Sequence, residues 1–148
     1  MCSSDLNNTM GQIIRWQEDG DHDGEAFRWH HFVLAGDPAN ERPEARGNVR
    51  GDAFGCPDGL WVDGRGILWI QTDMSTSAMG QGDLKGLGNN ALLAADPATG
   101  EVRRFLVGPA GCEITGATGT PDGCTMFINI QHPGETADRK STRLNSSH

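Results

Sequence analysis

The sequence predicts an all-β fold built from short antiparallel hairpins, and three observations carry that expectation. Runs with apolar residues at every second position are separated by Gly, Asp and Pro turns, and no window of eleven or more residues keeps a 3.6-residue period. The 148 residues include 21 Gly, 7 Pro and no Tyr, with 36% hydrophobic and 22% charged side chains. That composition suits a turn-rich globular chain better than a helical bundle or a disordered tail. Finally, Ile67, Trp69 and Gln71 alternate with Leu68, Ile70 and Thr72. Both faces of this run are largely apolar, so sheets should stack on both sides of it.

Taken in order, the pattern pairs 12–16 with 27–34, 59–62 with 67–72, 91–95 with 102–107, and 114–118 with 126–131. The first connection contains Asp19-Gly20-Asp21-His22-Asp23-Gly24-Glu25, which copies the first half of an EF-hand loop. His30 stands where the bidentate glutamate would be and the flanks read as strands, so an acidic, solvated hairpin turn is expected there. The other turns are Asp63-Gly64-Arg65-Gly66, Asp96-Pro97-Ala98-Thr99-Gly100 and Thr120-Pro121-Asp122-Gly123. Each supplies a residue that tolerates positive φ or a proline that presets it. The longer connections, 35–54 and 74–90, read as loops, the place where function gathers on a β scaffold.

Asp63-Gly64 falls on Asp122-Gly123 at an offset of 59, which also lays Asp73 on His132, and Gly59 falls on Gly116 at 57. Short antiparallel strands, two apolar faces and this repeat fit a partial β-propeller, whose blades take about 40–50 residues each. The chain holds about two and a half such blades, and an open stack leaves edges that must be covered. The ends, 1–6 and 139–148, differ in texture from the middle and resemble translated adaptor sequence, leaving 7–138 as the propeller segment. A fragment of a larger enzyme or binding protein is the expectation.

Twenty acidic against 12 basic side chains give a net charge of −8; setting the two ends aside removes one acidic and three basic groups and leaves −10. Nucleic acid and anionic membrane surfaces are therefore poor partners, and metal cations better ones. No apolar run is long enough to span a bilayer, and residues 1–30 carry no signal-segment pattern. Cys2, Cys56, Cys112 and Cys124 form no CxxC pair, so neither a disulfide framework nor a zinc site is read from them.

In an antiparallel hairpin, the start of the first strand and the end of the second share one end of the sheet. Asp58 is therefore expected beside Asp73, and Glu113 beside His132. If the hairpins belong to one propeller, the four groups converge at the channel mouth, where oxygen ligands hold a hard cation such as calcium. Ser75-Thr76-Ser77 lacks a nucleophile elbow, and Gly80-Gln81-Gly82-Asp83-Leu84-Lys85-Gly86 misses both phosphate-loop spacings, so no catalytic nucleophile is assigned. Trp16, Trp29, Trp61 and Trp69 lie in strand runs and are expected to pack, and Cys56 and Cys112 to be buried bystanders. At least one of His30 and His31 should point at packing.

Gly11-Gln12-Ile13-Ile14-Arg15-Trp16, Gly51-Asp52-Ala53-Phe54, Pro57-Asp58-Gly59-Leu60-Trp61, Leu68-Trp69-Ile70-Gln71-Thr72-Asp73 and Gly88-Asn89-Asn90 together resemble the C-terminal part of the PhoX-type bacterial alkaline phosphatases. The most telling stretches are Gly111-Cys112-Glu113-Ile114-Thr115-Gly116 and Asn129-Ile130-Gln131-His132-Pro133-Gly134-Glu135. The resemblance covers about residues 11–136 and implies a six-bladed propeller that hydrolyses phosphate monoesters, in the periplasm or outside the cell, with a calcium and iron cluster. Carried over residue by residue, it makes Asp58, Glu113, His132 and Glu135 metal ligands. Gly119 replaces the family's aromatic residue and Cys124 its usual arginine, and the N-terminal blades are missing, so the chain alone is expected to be inactive. The alternatives are a calcium-dependent propeller lactonase and a non-catalytic propeller scaffold.

Overall fold

Two apolar faces on one sheet demand two covers, and the computed structural model, which describes residues 8–22 and 24–133, supplies both. The middle sheet is an antiparallel meander of β4 (Pro57–Val62), β5 (Leu68–Thr72), β6 (Ala91–Ala95) and β7 (Glu101–Val107). A two-residue strand, β3 (Arg50–Gly51), runs parallel to β7 at its edge. β1 (Gln12–Glu18) and β2 (Phe27–Leu34) form one flanking hairpin, and β8 (Glu113–Gly119) and β9 (Met126–Gln131) the other. All four hairpins expected from the sequence are present, and the architecture is that of a partial propeller-like domain.

Alternation along β5 and β6 divides the core. Ile70, Leu93, Ala91 and Ala95 turn to one side and pack with Ile13 and Val33 of the first hairpin. Trp69 and Leu92 turn to the other side and pack with Ile114 and Cys112 at the start of β8. β5 and β6 pair directly, Ile70 opposite Leu93, across the 74–90 connection. That connection and 35–54 are irregular except for 3-10 turns at Gly82–Leu84 and Pro43–Ala45 and the short β3.

The tryptophans divide as well. Trp69 is buried with Trp61 stacked over it at 6.5 Å, as expected of packing residues. Trp16 and Trp29, however, stay 63% and 49% exposed, beside exposed Ile14 and Phe27. The outer face of the first hairpin has no covering sheet among the described residues. His31 is half-buried and meets Trp29 edge-on at 5.4 Å, while His30 is exposed.

The β4–β5 turn is organised by one carboxylate. Asp63 accepts from the backbone N–H of Arg65 and Ile67, from Trp69 Nε1 and from the Arg65 guanidinium, at 2.9 to 3.2 Å. Its burial opposes the charge, but these donors outweigh it and hold the carboxyl down to about 2. Because the folded value lies below the unfolded one near 3.9, the stability it contributes is present above about pH 4 and lost as pH falls through about 2. Asp63→Ala should therefore cost about 2 kcal/mol at pH 7. In urea denaturation the gap to wild type should narrow towards pH 2; a gap independent of pH would refute this account of the turn.

Candidate metal site at the paired strand ends

The turns of the middle and last hairpins lie together: Asp63 and Arg65 share a 260 Å³ cleft with Thr120, Asp122 and Gly123. The opposite ends of these hairpins are thereby aligned too. β4 begins with Pro57 and Asp58, and Asp73 directly follows β5. Glu113 opens β8, and His132 directly follows β9.

Each hairpin carries a bulge near this end. In β4–β5 the register shifts between Pro57 and Leu60, at Asp58 and Gly59; in β8–β9 it shifts between Ile114 and Gly116. Bulges of this kind re-aim side chains at the rim of a sheet. At Gly59 a Cβ would meet the amide end of the buried Gln71 side chain, which would have to shift to admit it. The two non-glycine residues with positive φ among those described are Cys56 (52°) and His132 (55°), and both flank this end. Cys56 is held at both its backbone groups: its N–H donates to the Met10 carbonyl at 2.7 Å, and its carbonyl accepts from Asp73 N–H at 3.0 Å.

Electrostatics show that the groups share one neighbourhood. The Glu113 carboxyl is pushed above its ordinary range by burial, then by the charges of Asp73 and Asp58, while His132 pulls it the other way. The Cys56 thiol is pushed up by burial and then by Asp73, and the buried Cys112 thiol by burial, so both stay protonated as found. Asp58, Asp73 and His132 are exposed, and Glu113 is half-buried. His132 Nε2 lies 2.7 Å from Gln131 Nε2.

The four strand-end groups named from the sequence are thus brought to one end of the fold. Glu135 lies outside the described residues. Among the described residues, no three His, Cys, Asp or Glu side chains are gathered so as to hold one metal ion. The sequence reading missed Asn90, whose buried amide bonds to backbone beside both Asp73 and Glu113. Its signal was an Asn at the foot of an apolar strand, in a Gly-Asn-Asn run that reads as loop.

A family model described as alkaline phosphatase PhoX matches residues 3–134. The chain belongs to the PhoX alkaline phosphatase family. Among solved structures, that of Pseudomonas fluorescens PhoX in complex with vanadate, a transition state analogue, is 48% identical with a TM-score of 0.77. The match covers 87% of this chain and 23% of that one, so the chain spans about a quarter of the length of the PhoX it matches. Comparison with curated proteins gave no match. None of the helices among the described residues is long and apolar enough to cross a membrane.

The raised Glu113 carboxyl in this PhoX chain has a direct consequence. A carboxyl whose folded pKa lies above the unfolded value destabilises the fold when ionised. In chelator-treated protein, Glu113→Gln should therefore raise Tm at pH 8, and the gain should vanish below about pH 4, where the carboxyl is protonated in both states. A lowered Tm at pH 8 would show that Glu113 is not in net repulsion.

Proposed function

We propose that this chain is a section of a metal-dependent phosphomonoester hydrolase, with Asp58, Glu113 and His132, together with Glu135, as part of its metal ligands. The observation that carries the reading is the clustering of Asp58, Asp73 and Glu113 at one end of the β4–β5 and β8–β9 hairpins in a PhoX-family chain. Carboxylate oxygens suit calcium, and an imidazole beside carboxylates suits iron. Burial lifts Glu113 first and the charges of Asp73 and Asp58 add to it, and a bound cation would offset both. The donor chemistry fits, while the donors among the described residues do not complete a coordination sphere.

Calcium and iron at this position would neutralise phosphate oxygens and activate the attacking oxygen. The chain's own part is to place ligands. The bulges at Gly59 and Thr115 aim the strand ends, the αL backbone at His132 turns the chain out of β9, and Trp69, Leu92 and Ile114 form the dry layer beneath. Further donors come from further blades of the parent protein. Two observations support that arrangement: the share of the P. fluorescens PhoX covered, and the exposed face of Ile14, Trp16, Phe27 and Trp29, which a neighbouring blade would cover. The substrates on this reading are phosphate esters of small molecules, and the setting is the periplasm or the cell exterior. The vanadate bound to the solved relative favours phosphoryl chemistry over lactone hydrolysis.

The test is an assay of the full-length enzyme containing this segment, against p-nitrophenyl phosphate and a simple lactone, before and after chelation. We expect phosphomonoester turnover that chelation abolishes and that calcium with iron restores. Asp58→Asn and Glu113→Gln should each lower kcat at least about 100-fold. The 148-residue chain alone should turn over neither substrate. Lactone turnover without phosphatase activity, or activity that survives chelation, would overturn the proposal.

A further inference from the structure

The buried amide of Asn90 joins the segments that carry two of the clustered carboxylates. Asn90 is 1% exposed and lies directly before β6. Its Oδ1 accepts from Thr72 Oγ1 at 3.1 Å and from Met74 N–H at 2.6 Å. Its Nδ2 donates to the Met74 carbonyl at 3.0 Å and to the Cys112 carbonyl at 2.9 Å. An amide offers two donors and two acceptor sites, so its capacity is fully used. Thr72 Oγ1 in turn accepts from Ala91 N–H at 2.9 Å, closing the network onto β6. Thr72 and Met74 bracket Asp73, and Cys112 immediately precedes Glu113. One side chain therefore holds the Thr72 hydroxyl and the Met74 backbone on either side of one carboxylate and the Cys112 backbone next to the other, across two hairpins that no strand pairing joins.

We propose that Asn90 is a positioning residue: its amide ties the segment carrying Glu113, a proposed ligand, to the end of the β4–β5 hairpin that carries Asp58 and Asp73, and so sets the affinity of this end of the fold for calcium. Partners behind metal ligands typically set affinity over a range of about 10- to 100-fold. A hydrophobic residue in this place would fill the core equally well but leave the Cys112 and Met74 carbonyls without donors and the two hairpin ends free to separate. The inference rests on the metal reading above, and its test separates the two.

In the chelator-stripped full-length enzyme, the calcium requirement is read in two ways, as the dissociation constant for calcium by titration calorimetry and as the free calcium giving half-maximal phosphatase activity, alongside the KM for p-nitrophenyl phosphate. Asn90→Ala should raise the calcium requirement about tenfold or more with KM unchanged. Leu93→Ala, an equally buried change in the same sheet with no bond to either segment, should leave it unmoved. Thr72→Val should shift it in the same direction by less, and Thr72→Ser should restore it. An unmoved requirement in Asn90→Ala, or an equal shift in Leu93→Ala, overturns the proposal. If Asn90→Ala does not fold, the Thr72 pair decides, and equal values for Val and Ser refute it. If Glu113→Gln leaves the calcium requirement unchanged, the metal reading fails and Asn90 with it; a shift in Glu113→Gln without one in Asn90→Ala removes the positioning role alone.

Discussion

Everything in this structure follows from the middle sheet being apolar on both faces. Ile70 and Leu93 face one way, Trp69 and Leu92 the other, and water must be kept from both at about 25 cal/mol for each Å² of apolar surface. The covers available to so short a chain are hairpins from either side of the meander. Because the last hairpin lays β8 against β4 and β5 with its turn beside theirs, the free ends of all these strands come to the same side. The juxtaposition of Asp58, Asp73, Glu113 and His132 is a by-product of covering Trp69 and Leu92 with Ile114.

The two ends of the sheet treat their acids in opposite ways. At the turn end Asp63, Asp96 and Asp122 are each satisfied by donors close by in sequence. Asp63 is held low by donors from Trp69, Ile67 and Arg65; Asp96 is lowered by Ala98 N–H and the Thr99 hydroxyl, and Asp122 by the Thr120 hydroxyl and Cys124 N–H. At the other end Glu113 is raised by burial and by its neighbours' charges, and Cys56 and His132 hold an αL backbone that a side chain disfavours. A fold gathers such costs where function requires them and supports them from the core beneath. On the proposed reading, this asymmetry separates the acidic rim that holds metal from the acidic rim that is merely turn.

What could be read from the sequence was what repeats. Period-two runs gave the four hairpins, Asp-Gly and Pro-Asp-Gly gave the turns, and the alternation of Trp69 with Ile70 gave the double burial. Antiparallel geometry alone then paired Asp58 with Asp73 and Glu113 with His132. What lacked a period stayed hidden: β3 is two residues long and owes its place to β7, and the β5–β6 pairing crosses seventeen irregular residues, 74–90. Asn90 could not be distinguished from Asn89 by type, because its role depends on carbonyls supplied by Met74 and Cys112, which are distant in sequence. Trp16 and Trp29 misled for a related reason. A strand tryptophan marks a surface that needs a partner, and the partner of this one is not among the described residues.

On the proposed reading, that exposed surface and the incomplete ligand set have a common explanation. In a ring of sheets, every sheet face is covered by the next sheet, and every inner hairpin brings only a few side chains to the mouth. A section cut from such a ring keeps its internal interfaces, as Trp69 with Ile114 shows, but leaves its terminal faces bare and its mouth with too few donors. Neither deficit is repaired among the described residues. Ile14, Trp16, Phe27 and Trp29 all lie on the outer face of the first hairpin, and the acids at the strand ends repel rather than enclose. Fold and site are thus incomplete in the same direction, and on the proposed reading the surface that buries Trp16 belongs to the same larger protein that supplies the remaining ligands.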